Sequence, residues 1–153
     1  MRKLIYSIVI LSVTFAVATP LHAGSSPDAV VPQGWHPDIA EAIDSARQDL
    51  KDAKAQMEIN SLSRSIADMK DAELFVLYVR LYERLDPKQR QALREEQGRW
   101  LKARTKFAEK AIESPGGSLA AYESNTAESE FTDKRIAELT KRLDAFKTVA
   151  SPF

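Results

Sequence analysis

Leu93-Arg94-Glu95-Glu96-Gln97-Gly98-Arg99-Trp100-Leu101-Lys102-Ala103-Arg104 is the stretch from which the fold is read. Leu93, Gln97, Trp100 and Arg104 are spaced by four, three and four, which puts all of them on one face of a helix. A glutamine and an arginine therefore occupy the stripe that should be apolar. If that face is buried, Arg104 needs a carboxylate, because an uncompensated buried charge costs several kcal/mol. Glu73, Glu128 and Glu130 are the candidates. Trp100 would then pack between helices, and Gly98 would admit another backbone. If the face is exposed, Trp100 and Arg104 are residue types that anchor protein interfaces.

Working backwards, Asp86-Pro87-Lys88-Gln89 is a start signal: Asp86 caps, Pro87 fits the first turn and Gln89 completes a capping box. This predicts a helix over Pro87–Glu113. Before it, Leu74 to Leu85 is apolar on most faces. That describes a central helix over Leu62–Leu85 packed on several sides, or an aromatic-rich groove. Asn60 or Ser61 would cap it. Earlier still, Ile39, Ile43, Ala46, Leu50, Ala53 and Met57 form a narrow seam at alternating four and three. The seam predicts an amphipathic helix over Pro37–Glu58, packed on its own domain or held ready for a partner. That helix is net acidic and the Pro87 helix net basic, which predicts that the two lie side by side.

Forwards, Ser114-Pro115-Gly116-Gly117-Ser118 must break the chain, and Ser118 can cap a last helix over Leu119–Lys147. Thr132, Arg135 and Leu139 share a face of it. No strand-like alternation is seen. The expected fold is all-α: a compact bundle of three long helices plus an N-terminal amphipathic helix.

The order Leu93-x3-Gln97-x2-Trp100-x3-Arg104, then Gly116-Gly117-Ser118, then Thr132-x2-Arg135-x3-Leu139 resembles the lysozyme inhibitor LprI-like family. The likeness runs from about Ile66 to Leu143. It implies a helical, exported bacterial binding protein with lysozyme as partner. It marks Leu93, Gln97, Trp100, Arg104, Gly116, Gly117, Ser118, Thr132 and Arg135 as family-signature or partner-contact positions. Members usually carry cysteines, and this chain has none; Phe75 stands where many have an asparagine.

The ends of the chain address localisation. Met1-Arg2-Lys3 precedes an apolar run, Leu4 to Ala18, and Pro20 breaks it before Ala23-Gly24. This is the layout of a signal peptide over 1–23, cut after Ala23, too short to span a bilayer comfortably. Without a cysteine at the junction no lipid anchor can be attached, so the product would be periplasmic or secreted. Gly24 to Trp35 reads as a disordered leader, 36–148 as the helical domain and 149–153 as a tail. Losing Arg2 and Lys3 leaves 20 basic against 22 acidic residues. Near neutrality argues against a nucleic-acid partner, and a cysteine-free chain relies on packing alone.

The inventory argues against catalysis. His36 is the only histidine beyond the cut and no thiol exists. A typical zinc site needs more nitrogen or sulfur ligands than that. Gly116-Gly117-Ser118 lacks the lysine of a phosphate-binding loop. No cofactor is expected. The partner is lysozyme or another envelope protein, with no nucleic acid and no membrane after cleavage. The alternative is a periplasmic structural or interaction module. The Ser114–Ser118 loop is either a plain turn or a tip that enters a cleft, with Lys110 as a nearby donor.

Overall fold

The computed structural model describes residues 39–149, with side chains to Phe146. The expected signal peptide, leader, helix start at Pro37 and most of the expected tail lie outside those residues. The fold is all-helical: α1 is Ala40–Asp52, α2 Gln56–Arg84, α3 Pro87–Lys110 and α4 Ala120–Val149. There is no strand among the described residues. Nor is any of these helices long and apolar enough to cross a membrane.

α4 is the common wall against which α2 and α3 both pack, while α1 lies on α2. The core joins Leu74 and Leu81 of α2, Leu93 of α3 and Leu139 of α4. Tyr82, Trp100, Ile136 and Phe146 close around it. Burying side chains of this size contributes about 1.5–3 kcal/mol each relative to exposure. This cluster therefore fixes the relative placement of the three long helices.

The α2–α3 junction forms as the sequence predicts. The Asp86 carboxylate accepts from the Gln89 N–H at 2.8 Å, and the Gln89 side chain accepts from the Asp86 N–H at 3.1 Å. Arg90 then donates to the Tyr82 carbonyl at 3.0 Å, and its guanidinium lies 5.1 Å from the Tyr82 ring centre. One arginine thus gives the Tyr82 carbonyl a second donor beside the Leu85 N–H and lies over the Tyr82 ring.

The α1–α2 break falls at 53–55, not near residue 60, and neither Gly nor Pro marks it. Ala53 and Ala55 adopt extended backbone. The cause is tertiary: only a fold-back brings Ile43 and Ala46 onto Ile66. Ile39, Leu50 and Met69 pack around that contact. The seam therefore ends at Leu50. Ala53 lies in the turn, and Met57 sits on α2 with 82 % of its surface exposed. Asn60 and Ser61 fall inside α2 and cannot cap it. α1 does not pair with α3 as their opposite charges suggested; burial of its apolar stripe on α2 outweighs weak surface attraction. α3 stops at Lys110, three residues short of the expected end, and α4 continues to Val149.

Candidate functional site

The odd polar stripe of α3 faces inward. The side chain of Arg104 is only 11 % exposed. Both of its terminal nitrogens bind the Asp71 carboxylate of α2. It also donates to Thr132 Oγ1 of α4 at 3.2 Å and sits 3.3 Å from a Glu128 oxygen. Glu128 was one of the three expected partners; Glu73 and Glu130 are not used. Asp71 was missed although it lies on the same helical face as Leu74 and Tyr78, because a charged residue just before the apolar run reads as solvent-facing. It is reachable because α2 and α3 run antiparallel from the short Leu85–Asp86 connection.

Arg135 of α4 is the second inward cation. Its guanidinium donates to Gln97 Oε1 at 3.1 Å and to the carboxylates of Glu96 and Glu138. Gln97 therefore sits on the buried stripe to accept from Arg135. Trp100 lies between the two cations, with Arg104 and Arg135 at 5.0 and 6.0 Å from its ring centre. Phe131 packs beside it at 5.6 Å. Stacking on an aromatic face compensates part of a guanidinium's desolvation. Thr132 is buried and donates back to the Glu128 carbonyl at 2.8 Å, leaving its oxygen free to accept from Arg104.

Burial raises the Glu96 carboxyl, but hydrogen bonds and charge from Arg135 and Arg142 outweigh it and hold Glu96 below the usual carboxylate range. Glu73 goes the other way: burial and the nearby Asp133 push it up. Lys70, also of α2, is buried and paired with Asp133 of α4. Sequence periodicity hid Lys70 because its neighbours Ile66 and Met69 serve the α1 contact.

Leu93, Gln97, Trp100 and Arg104 of α3, Thr132 and Arg135 of α4 and Asp71 of α2 thus form one continuous polar and aromatic lock through three helices. Both guanidiniums in it face carboxylates, although one terminal nitrogen of Arg135 is buried without a hydrogen-bond partner. Removing one partner of such a pair strands a charge, so it is costly even where the intact pair adds little net stability.

Gly116, Gly117 and Ser118 are elsewhere, at the exposed tip between α3 and α4. The turn is braced. The Glu123 carboxylate accepts from the Glu113 and Ser114 N–H groups at 2.9 and 3.1 Å and from the Ser114 hydroxyl at 2.9 Å. Despite some desolvation, these donors together hold Glu123 below the usual range. Gly117 N–H closes the turn on the Ser114 carbonyl at 2.8 Å. Asn60 of α2 donates to the Ser118 carbonyl at 3.0 Å, tying the tip to the bundle. Glu123 and Asn60 thus brace this turn, and the cap predicted for the Ser118 side chain is not among its contacts. Gly116 has φ +76°, which L side chains rarely adopt. At Gly117 a Cβ would come within 3.0 Å of the Ser114 carbonyl oxygen. The backbone conformation therefore favours glycine at 116, and a side chain at 117 would crowd the Ser114 carbonyl.

Gly98 is different. A Cβ there would meet nothing within 4 Å, so no backbone approaches it. The expected close helix contact is absent.

The family model described as lysozyme inhibitor LprI matches residues 46–139. Comparison with curated proteins and with solved structures returns no match. The matched span starts within α1, earlier than the motif pattern suggested, and ends at the fully buried Leu139. It contains both arginines of the lock, the residues that pair with them and the braced turn. The chain belongs to the lysozyme inhibitor LprI family.

Proposed function

We propose that this chain is an exported, non-enzymatic binding protein that inhibits a lysozyme and so protects the cell wall. Family membership over residues 46–139 is the observation that carries this reading. The geometry narrows the contact. The arginine lock faces inward, so it is scaffold. The Ile39, Ile43, Ala46 and Leu50 seam packs on α2, which favours the inhibitor reading over a module that binds its partner through that seam. The tip at Pro115–Leu119 is exposed and rigidly braced. A contact loop that is ordered before binding loses little entropy on docking. Lysozyme clefts hold a pair of acidic catalytic groups. Backbone N–H groups at a glycine tip, with exposed Lys110 one turn away, supply donors for such a cleft.

The test is cell-wall lysis by several lysozyme types with added protein. The wild type should inhibit at least one of them. Inserting two residues between Gly116 and Gly117 should abolish inhibition while helicity is kept, since a cleft tolerates little added volume. No inhibition by wild type at large molar excess overturns the reading for those lysozymes. Equal inhibition by wild type and variant clears the loop. Export itself is tested by the intact mass of protein recovered from periplasm, expected to correspond to cleavage after Ala23.

A further inference from the structure

Between α2 and α3 lies an open groove of about 430 Å³. Phe75 and Tyr78 of α2 and Arg94, Gly98 and Leu101 of α3 line it. Phe75 is 67 % exposed, and Leu101 is exposed too. Gly98 sits in mid-helix, where glycine is unfavourable relative to alanine, yet no neighbour requires the missing Cβ. The groove is thus largely apolar, and at one point it is bare backbone.

Its polar groups are short of acceptors. Asp71 is the only carboxylate among the lining residues, and both of its oxygens accept from Arg104. Arg94 is exposed and forms no ion pair among the described residues. Its neighbours three and four residues away are Arg90, Gln91, Gln97 and Gly98, so α3 itself offers it no carboxylate. Gln97 spends its Oε1 on Arg135, which leaves its amide N–H groups to donate elsewhere. The complement of this groove is an apolar body that carries an acid.

We propose that the groove receives an amphipathic helix of another protein, its apolar stripe over Phe75, Gly98 and Leu101 and its acidic side chain at Arg94. Arg94, Gly98 and Leu101 are spaced by four and three, so they run in one line along α3. At 1.5 Å per residue that line is about 10 Å long, or two helical turns. Side chains at i, i+3 or i+4 and i+7 of a docked helix cover such a length. Gly98 argues for a helix in particular, because a missing Cβ admits the close approach of backbone. A small ligand needs most of its surface enclosed, which an open groove does not provide. The fit is directional: an acid at the Arg94 end gains a partner, whereas at the other end it meets the carboxylate of Asp71. The lock is untouched, since Asp71 keeps its bonds to Arg104.

The test titrates the purified protein into two labelled synthetic peptides of about fourteen residues, long enough to hold helical structure, and reads fluorescence anisotropy. Both carry a leucine stripe spaced by three and four; one ends it with glutamates, the other with lysines. The variants are Phe75→Ser, Gly98→Leu and Arg94→Glu. All three positions are exposed and a Cβ at Gly98 meets nothing, so each variant should keep the wild-type melting behaviour. The expected result is saturable binding of the glutamate peptide, with the lysine peptide roughly tenfold weaker. Phe75→Ser and Gly98→Leu should each weaken binding roughly tenfold, as for central interface residues. Arg94→Glu should reverse the preference between the peptides. No saturable binding of either peptide overturns the proposal. So does binding indifferent to both Phe75→Ser and Gly98→Leu, which must use another surface. Equal binding of the two peptides, or a preference that survives Arg94→Glu, overturns the acidic partner. A free protein that sediments as a dimer, and as a monomer after Phe75→Ser, overturns the proposal in favour of a second copy. A monomer in which Phe75 is protected from hydroxyl-radical labelling overturns it in favour of cover by another segment of the same chain. Lysozyme inhibition is read separately and decides none of these outcomes.

Discussion

Replacing Arg104 with leucine isolates the arginine lock. Leucine fills part of the same space beside Trp100 but cannot bond Asp71, Thr132 or Glu128. Removing one partner of a buried pair costs about 3–5 kcal/mol when the other is left dry. Asp71 is 40 % exposed and regains water, and Glu128 keeps Arg64 at 3.0 Å. Both facts place the loss at the lower end. The apolar contact that leucine makes with the Trp100 ring returns about 1 kcal/mol. The net expectation is about 2 kcal/mol of destabilisation, or a fall in melting temperature of roughly 10 °C for a domain of this size. Urea unfolding followed by circular dichroism measures it. The double variant Asp71→Leu/Arg104→Leu should recover at least about 1 kcal/mol relative to the sum of the single changes, because it strands no charge. An Arg104→Leu protein as stable as wild type, or strictly additive energies in the cycle, would refute the lock as described.

Gly116→Ala should cost about 1 kcal/mol in urea unfolding, since alanine is strained at positive φ. Gly117→Ala should also destabilise, through contact with the Ser114 carbonyl, whereas Gly98→Ala should stabilise. Glu96 has its carboxyl depressed, so its contribution is present above its ordinary value of 4.5 and is lost as pH falls through the lower folded value. Glu96→Gln should thus be less stable than wild type at neutral pH, with the gap closing in acid. Glu73 carries the opposite sign: its raised carboxyl penalises the folded state at neutral pH. Glu73→Gln should therefore melt higher there, and an unchanged or lower melting temperature at neutral pH would count against that sign.

The helices of this protein are largely legible in its sequence wherever local chemistry sets the boundary. Asp86-Pro87 with Gln89 starts α3 in the sequence and in the structure alike. Ser114 to Gly117 forms the turn between α3 and α4 as the residues suggest, although α3 already stops at Lys110. The α1–α2 break was illegible because Asp52-Ala53-Lys54-Ala55 contains no breaker; the fold-back is decided by where Ile43 and Ala46 find an apolar wall. The spacing of Leu93, Gln97, Trp100 and Arg104 does announce an unusual face. It cannot announce the partners, because Asp71 and Glu96 sit on exposed-looking charged positions and only three-dimensional crossing brings them to the arginines. The groove was hidden for a related reason. An apolar run around Leu74–Leu85 says that many faces want cover, but not that the face bearing Phe75 goes without it.

The position of α4 as the shared wall constrains the timing of assembly. Ser63 receives its bond from Asn125, 62 residues later, and Lys70 meets Asp133 after 63. Arg104 waits for Thr132, and the leucines of α2 and α3 wait for Leu139. Loops of this length close slowly compared with helix formation. As the chain is synthesised from its N-terminus, α1 and α2 can zip together early through Ile43 and Ile66, but the main core has no floor until the last helix emerges. The polypeptide therefore lacks its main core, and the resistance to unfolding that goes with it, until α4 has been made. A ribosome that stops short of Leu139 releases helices without a protein.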